Sequence, residues 1–447
     1  MRDLHQPFIR VAIASLLILF AAEIGQAKRF DYLVGPSGTS DQQAPPPSPT
    51  PNGTAPASAA PAGQESDEAA GSETQSEIAA EANDEEVQGG LFGPFLHGRN
   101  GIIAQYLYTG DTFTNLRGGK NTNGATRYLG VVDVAITADL DQLGLRPGGT
   151  FLIYGQDIHG RSSTEDDVGD YQCLSNIDAP RRTQVSEYWW QRSFLDGEVT
   201  LRLGKQDANA EFAVVDLAGD FINSSFGLAP TVPMPTYPDP SAGLAVFYTP
   251  NDWLALKSGI WDGAPDGRNW GFSGTGTAFS VAEAELMWSL LEERLPGGFH
   301  IGAWYHSDDP DEVAGEGKFD GNYGVYLGGE QMVLKESWEP DDDQGLGVFG
   351  QFGWAPDDRN EASRYFGAGL VYKGLVSRRD DDITGIGVAA LWFSDRLDLD
   401  SETAVELFHR VQLGEYISLK PDLQYIARPS GVERDALVAG MRFEIAL

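Results

Sequence analysis

From residue 91 to the C-terminus, apolar and polar positions alternate with a period of two. Val132, Val134, Ile136, Ala138 and Leu140 interleave with Val131, Asp133, Ala135, Thr137 and Asp139. Val199, Leu201 and Leu203 interleave with Thr200, Arg202 and Gly204. Leu346, Val348, Phe352 and Trp354 alternate with Gly347, Phe349, Gln351 and Gly353, and Val405, Leu407, His409, Val411 and Leu413 with Ala404, Glu406, Phe408, Arg410 and Gln412. The last run carries Met441, Phe443, Ile445 and Leu447 on one side and Gly440, Arg442, Glu444 and Ala446 on the other. Successive side chains of a strand point to opposite faces, so each run reads as a strand with one apolar and one polar face. Turn-forming clusters separate the runs: Pro147-Gly148-Gly149, Asp196-Gly197, Pro250-Asn251-Asp252, Pro296-Gly297-Gly298 and Ala355-Pro356-Asp357-Asp358. No stretch of a dozen residues carries a convincing 3.6-residue stripe, although Val281 to Leu291 is a partial match. The fold class is therefore all-β.

Two all-β solutions bury such strands differently. A sandwich or propeller turns the apolar face inward; a membrane barrel turns it toward lipid and keeps a polar interior. Charge on the non-apolar face (Asp133, Asp139, Arg202, Arg410, Arg442, Glu444) suits a wet lumen. Aromatics at run ends suit an interfacial girdle: Tyr106, Tyr108, Trp189, Trp190, Trp253, Trp261, Trp304, Tyr305, Trp354 and Trp392. An alternating C-terminal strand can pair with the first strand and close the barrel. Residues 91–447 divided over sixteen strands leave about 22 each, enough for about ten membrane residues and a connection. No 40–50-residue repeat supports a propeller. The expectation is a transmembrane antiparallel β-barrel of about sixteen strands with a disordered N-terminal spacer.

What precedes the barrel has a different composition. Residues 1–27 have a basic start (Arg2, Arg10), an apolar core from Val11 to Ala22, and the small residues Gly25 and Ala27 at the −3 and −1 positions of a cleavage site. They read as a signal peptide for export. Residues 28–90 contain Ala44-Pro45-Pro46-Pro47-Ser48-Pro49-Thr50-Pro51 and an acidic stretch from Glu65 to Glu86 poor in large apolar side chains. Such a segment buries too little to offset its ordering entropy, and reads as a flexible periplasmic spacer, with a short helix conceivable at Glu73 to Val87. Residues 91–447 form the barrel domain.

Charge narrows the function. The chain has 31 Lys+Arg against 66 Asp+Glu, a formal −35. Residues 28–90 hold 2 basic and 11 acidic residues, while 91–447 hold 27 and 53, so the barrel alone carries −26. A polyanion repels phosphate backbones, which argues against nucleic acid as a partner. The single Cys, Cys173, makes no internal disulfide or CxxC site, and six His are too few and scattered for a His-built metal centre.

Several stretches resemble the OprB-type family of carbohydrate-selective porins. They are Tyr128-Leu129-Gly130-Val131-Val132-Asp133, Arg202-Leu203-Gly204-Lys205-Gln206-Asp207-Ala208-Asn209, Gly219-Asp220-Phe221-Ile222-Asn223-Ser224-Ser225-Phe226-Gly227, Tyr237-Pro238-Asp239, Trp261-Asp262-Gly263 and Ile301-Gly302-Ala303-Trp304-Tyr305-His306. They run from about residue 92 to the C-terminus in the family's order. The resemblance implies a sixteen-stranded barrel in the outer membrane of a Gram-negative bacterium that lets sugars such as glucose diffuse into the periplasm. The Pro-rich acidic spacer is not part of that pattern.

Other chemistry finds less support. Gly345-x-Gly347-x-x-Gly350 spells a dinucleotide fingerprint, but Gln351-Phe352-Gly353-Trp354-Ala355-Pro356 follows where that site needs a helix. Gly385-x-Gly387-x-x-Ala390 fails likewise. Asp308-Asp309-Pro310-Asp311-Glu312 and Asp341-Asp342-Asp343 offer oxygens to Ca²⁺ but lack EF-hand spacing, and read as solvated extracellular loops. There is no G-x-S-x-G elbow, no acid pair stands out for glycoside hydrolysis, and His159, His300, His306 and His409 read as lumen or loop residues. The protein is expected to be no enzyme and to need no cofactor or metal.

Sugar passage needs hydroxyl-matching polar groups and aromatic faces that bind weakly. Arg202, Lys205, Gln206, Asp207 and Asn209 place such groups at one strand end, and Asp220, Asn223 and Trp261 can add to them from neighbouring loops. The cluster is expected to line the pore; for any one residue a barrel-structural role, such as a Lys205–Asp207 salt bridge, competes. The acidic balance keeps open a general or cation-selective porin, because acidic rings favour cations. An enzyme or adhesin built on acidic loops 308–318 and 335–345 is the third reading. Expected partners are small sugars, outer-membrane lipid and lipopolysaccharide, with the chain a monomer or a homotrimer.

Overall fold

The computed structural model describes residues 101–291, 294–337 and 343–447. The expected signal peptide, the spacer, the first residues of the expected barrel domain (91–100), Asp341 and Asp342 lie outside the described residues. The chain from Ile102 onward is a succession of sixteen strands. The first eight are β1 (Ile102–Arg117), β2 (Thr126–Asp139), β3 (Thr150–Gly160), β4 (Arg182–Phe194), β5 (Val199–Gln206), β6 (Ser241–Asn251), β7 (Leu254–Asp262) and β8 (Ala278–Leu290). The second eight are β9 (Leu295–His306), β10 (Asn322–Lys335), β11 (Gly345–Trp354), β12 (Ala362–Lys373), β13 (Ile383–Phe393), β14 (Ser401–Gln412), β15 (Ile417–Ala427) and β16 (Ala436–Ala446). Each pairs antiparallel with its sequence neighbours, and β16 returns to β1 over Leu107↔Ala446 to Arg117↔Leu437, so the sheet closes. Closure removes the free edge that lipid could not hydrogen-bond. Among the described residues no helix is long and apolar enough to cross a membrane; this chain crosses with strands.

The alternation in sequence is the alternation in space. On β14, Val405 and Leu407 are exposed on the outer wall while Glu402, Glu406 and Arg410 are buried on the lumen side. On β15, Leu423 and Tyr425 face out, and Lys420, Asp422 and Gln424 face in. Ile386, Phe366, Ile301, Leu203 and Met441 continue the apolar belt on other strands. The glycine motifs lie within strands β11 and β13.

The shortest and the longest connections lie at opposite ends of the barrel. Residues 195–198, 252–253 and 413–416 are tight turns at one end, while 161–181, 207–240, 263–277 and 307–321 are long connections at the other. Short turns mark the periplasmic end of an outer-membrane barrel and long loops the extracellular end. Two expectations are corrected. The connection containing Asp343 joins β10 to β11, so it lies at the periplasmic end rather than in an extracellular loop. Pro296-Gly297-Gly298 is part of strand β9, and the turn precedes it. Val281 to Leu291 is mostly strand β8, its short apolar spacing set by Ala282 and Ala284 facing out.

The aromatic belt is only partly as expected. Trp392 and Tyr323 are exposed on the outer wall, Tyr323 lies 6.2 Å from the Trp354 ring, and Trp253 is exposed in the turn between β6 and β7. Trp189, Trp261 and Trp304 point into the barrel and are buried. They occupy the lumen-facing phase of their strands, a distinction that nearness to a strand end cannot make. Phase also moves two histidines. His159 and His409 share the register of outward residues; His159 sits between the Tyr108 and Tyr128 rings on the outer wall, beside Asp157.

Candidate functional site

Two long extracellular connections, 161–181 and 207–240, turn back into the barrel. An irregular chain placed there must satisfy its own amides. The strands supply the acceptors, as lumen-facing carboxylates. Glu187 accepts from the Asp207 amide (2.9 Å), Glu283 from Ala213 (2.7 Å) and Glu330 from Leu217 (2.8 Å). Glu406 accepts from Ile222 (2.7 Å) and Asn223 (2.9 Å). Glu402 holds the other loop through the amides of Tyr171 (2.7 Å) and Gln172 (2.8 Å). Spread over β4, β8, β10 and β14, these contacts fix the loops' height and path. The loops also hold each other, the Asn176 amide donating to the Ile222 carbonyl at 2.8 Å.

Apolar packing completes the anchorage. Phe221 lies 4.3 Å from Phe226, 4.9 Å from Phe408 and 5.5 Å from Phe349, ring to ring. The strand glycines make room for this. A Cβ on Gly387 would sit 2.7 Å from Phe221 and 2.8 Å from Phe226; one on Gly347 would meet Leu217 at 2.5 Å. Gly347 and Gly387, one from each stretch that spells a nucleotide motif, are part of the floor under the inserted loop.

Six of the eight residues singled out from sequence fall at or beside the roots of this loop, and Asp220 and Asn223 sit at its far turn. Arg202 donates to Gln191 (2.8 Å) and Glu211 (2.7 Å), with its guanidinium 4.3 Å over the Trp189 ring. Lys205 donates to the carbonyls of Val185 (3.0 Å) and Gly267 (2.6 Å), so the Lys205–Asp207 salt bridge weighed from sequence does not form. Gln206 is buried next to it. Asp207 accepts from the Thr236 hydroxyl and the Tyr237 amide, each at 2.9 Å, and from the Asn209 amide at 2.8 Å. Burial nevertheless raises its carboxyl pKa. The Asn209 side chain donates to the Phe212 carbonyl (3.0 Å). Trp261 meets the Phe212 ring edge-on at 5.6 Å. Farther along, Asp220 takes Lys420 at 2.9 Å and Arg410 at 3.1 Å; burial opposes its charge, but these cations hold its pKa below the usual value. The Asn223 side chain accepts from Ser225 (3.1 Å) and donates to Gln424 (3.2 Å). Asn209 and Asp220 keep partial exposure; the other six are buried.

The structure adds an acidic wall that the sequence reading did not isolate. Lys257 of β7 meets Glu285 (2.8 Å) and Glu283 (3.3 Å) of β8 and donates to the Glu211 carbonyl (3.0 Å). Glu330 of β10 lies on the same side, and Asp216 of the inserted loop stands exposed near it. Across the ring of strands, β14 to β16 carry Arg410, Lys420 and Arg442. The strict alternation Val281-Ala282-Glu283-Ala284-Glu285 was the available signal, and it lay inside the stretch that partly matches a helix.

A closed sixteen-stranded barrel with an apolar outer belt, a charged interior and its own loops narrowing the lumen is an outer-membrane porin. The comparisons specify which kind. The chain belongs to the OprB family of carbohydrate-selective porins, whose family model matches residues 123–447. It is 24% identical over 394 residues to Porin B of Pseudomonas aeruginosa, covering 75% of this chain and 86% of that one. It is 23% identical over 390 residues to the putative porin QuiX of Acinetobacter baylyi, covering 74% and 86%. Among solved structures, the high-pH structure of Pseudomonas putida OprB aligns with a TM-score of 0.71 at 22% identity, over 78% of this chain and 94% of that one, a likeness of fold.

Proposed function

We propose that the passage is selective for small neutral sugars such as glucose, which diffuse through it passively into the periplasm. The observation that carries this reading is the inserted loop 207–240, pinned across the lumen by carboxylates on several strands. It narrows a wide barrel to a polar passage with acids on one side and cations on the other. A sugar's hydroxyls donate and accept, so it can exchange bonds with both sides without carrying a charge. In this proposal Arg202, Gln206, Asp207, Asn209, Asp220, Asn223 and Trp261 shape the passage by setting the loop, Lys205 braces the wall beside its root through Val185 and Gly267, and Asn209 and Asp220 also present polar surface. Residues 1–27 direct export and 28–90 form a periplasmic spacer. One chain closes a whole barrel, so each copy carries a complete passage as monomer or homotrimer.

Asp216, Glu285 and Glu330 favour a second reading, in which the same passage prefers small cations over anions. Planar-bilayer recording separates the two. Sugar block of a stepwise conductance supports the sugar passage, and the reversal potential in a KCl gradient reports charge preference. Conductance that no sugar perturbs contradicts the first reading.

A further inference from the structure

The barrel wall is not strand throughout. β5 pairs with β4 only from Tyr188↔Lys205 to Phe194↔Val199, because the chain leaves the wall after Gln206 and dives into the lumen. On that side of β4, residues 182–187 have no paired strand among the described residues. Two segments close the opening. The returning end of the inserted loop does so from inside, where Arg182 donates to Asp239 (2.8 Å) and to the Pro238 carbonyl (3.0 Å). The β7–β8 connection, 263–277, does so from outside. Its Gly267 carbonyl receives the Lys205 ammonium at 2.6 Å, and its Gly267 amide donates to Asp239 at 2.7 Å. Its Trp270 ring lies 5.8 Å from the Tyr188 ring at 28°, and the Tyr188 hydroxyl donates to the Trp270 carbonyl.

Tyr188 fixes which side this is. It alternates with the lumen-facing Glu187 and Trp189, and its partner across β3 is Ile153, exposed on the apolar belt with nearby Leu203. The segment therefore lies against the lipid-facing wall and not over the pore mouth. Its tip leaves Trp270 68% and Phe272 79% exposed, and Phe272 is the most exposed large hydrophobic side chain among the described residues. Arg268 and Asn269, beside them, are exposed as well. Two aromatic rings with an adjacent cation, continuous with an apolar belt, match the boundary between acyl chains and headgroups. Water offers the rings nothing, whereas that boundary accepts their apolar faces and places Arg268 by lipid phosphate.

We propose that segment 268–272 is an interfacial anchor seated in the outer leaflet, holding the plug of the wall opening in place from the lipid side. It rests on the outer-membrane barrel reading. The test uses the full chain with Cys173→Ser, carrying an environment-sensitive dye on Phe272→Cys or, as the aqueous control, on Lys318→Cys. Each is inserted into vesicles of phosphatidylcholine and phosphatidylglycerol, with and without acyl chains brominated near the headgroup. The expected result is several-fold less iodide quenching at 272 than at 318, strong quenching by the bromines at 272 only, and return to water-like emission when Trp270→Ser and Arg268→Ser are added. Equal iodide access at both positions overturns the anchor. So does shielding at 272 that ignores the brominated lipid and follows a chemically cross-linked dimer or trimer, which assigns the tip to a second copy. Stepwise conductance in the same vesicles checks the barrel separately: conductance with a water-exposed 272 sinks the anchor alone, and no conductance from any variant sinks the barrel reading on which it rests.

Discussion

The Arg442 guanidinium clasps the Asp111 carboxylate with two hydrogen bonds of 2.8 Å each, across the seam where the last strand meets the first. Neither side chain reaches solvent to any extent. The pair also seats the smaller inserted loop: the Ser175 hydroxyl donates to Asp111 at 2.6 Å, and Arg442 donates to the Asn176 side chain at 2.6 Å. One contact thus links closure of the barrel to narrowing of its lumen.

Removing one partner leaves an uncompensated buried charge. Asp111→Ala should cost about 3–5 kcal/mol. Asp111→Leu combined with Arg442→Met should cost much less, because no orphaned charge remains. Unfolding midpoints in urea, followed by the heat-dependent gel shift of the folded barrel, compare the two. Equal losses would show that charge pairing at the seam is unimportant.

Glu406 holds the far turn of loop 207–240 by two amides. Glu406→Gln turns charged acceptors into a neutral one and should weaken the tether by about 1.5–3 kcal/mol. The barrel should still insert, but its open-channel current should become noisier and its size cutoff larger. Bilayer noise spectra and uptake of a graded series of neutral sugars measure both. An unchanged cutoff with normal noise would mean that the phenylalanine cluster alone fixes the loop.

The acidic wall should set charge preference. Asp216→Asn with Glu285→Gln removes two negative charges near the passage and leaves Lys257 and the cations of β14–β16. The reversal potential in a KCl gradient should move toward anions, with little effect on neutral sugar uptake. A reversal potential that does not move would place the ion path elsewhere.

Asp170 lies in loop 161–181, 5% exposed, and burial followed by the neighbouring Glu402 pushes its carboxyl up to about 8. Asp178 adds to the rise, and the Thr164 hydroxyl opposes it. The docked loop thus keeps a proton that the undocked loop gives up at the ordinary carboxyl value of 3.8. Docking is strongest in acid, weakens as pH climbs from that value, and is weakest above about 8. Hydrogen exchange at Tyr171 and Gln172, corrected for the intrinsic rate, should accelerate over that window. In Asp170→Asn it should not. The same pH dependence in both proteins would remove Asp170 from the account.

The strands were legible because one rule governs them. A period of two, with Val405 and Leu407 out and Glu406 and Arg410 in, needs no tertiary information beyond the choice of which face meets lipid. Phase was harder where an aromatic stood at a strand end: Trp392 lies on the outer wall at the end of β13, whereas Trp261 points into the lumen near the end of β7. The eight residues singled out from sequence do gather near loop 207–240. The carboxylates that pin that loop were not legible, because Glu283, Glu330 and Glu406 lie far along the chain and meet it only after the barrel closes. The opening between β4 and β6 was equally hidden. It follows from where β5 stops, a boundary that Arg202-Leu203-Gly204-Lys205-Gln206 does not mark.

Liposome swelling tests the central claim most directly. Proteoliposomes of the full chain are diluted into isosmotic glucose, a disaccharide, and a cationic and an anionic solute of similar size. A sugar-passing channel narrowed by loop 207–240 predicts faster entry of glucose than into protein-free liposomes, slower entry of the disaccharide, and cations ahead of anions. Glucose entry no faster than in protein-free liposomes, with the barrel demonstrably inserted, would contradict it.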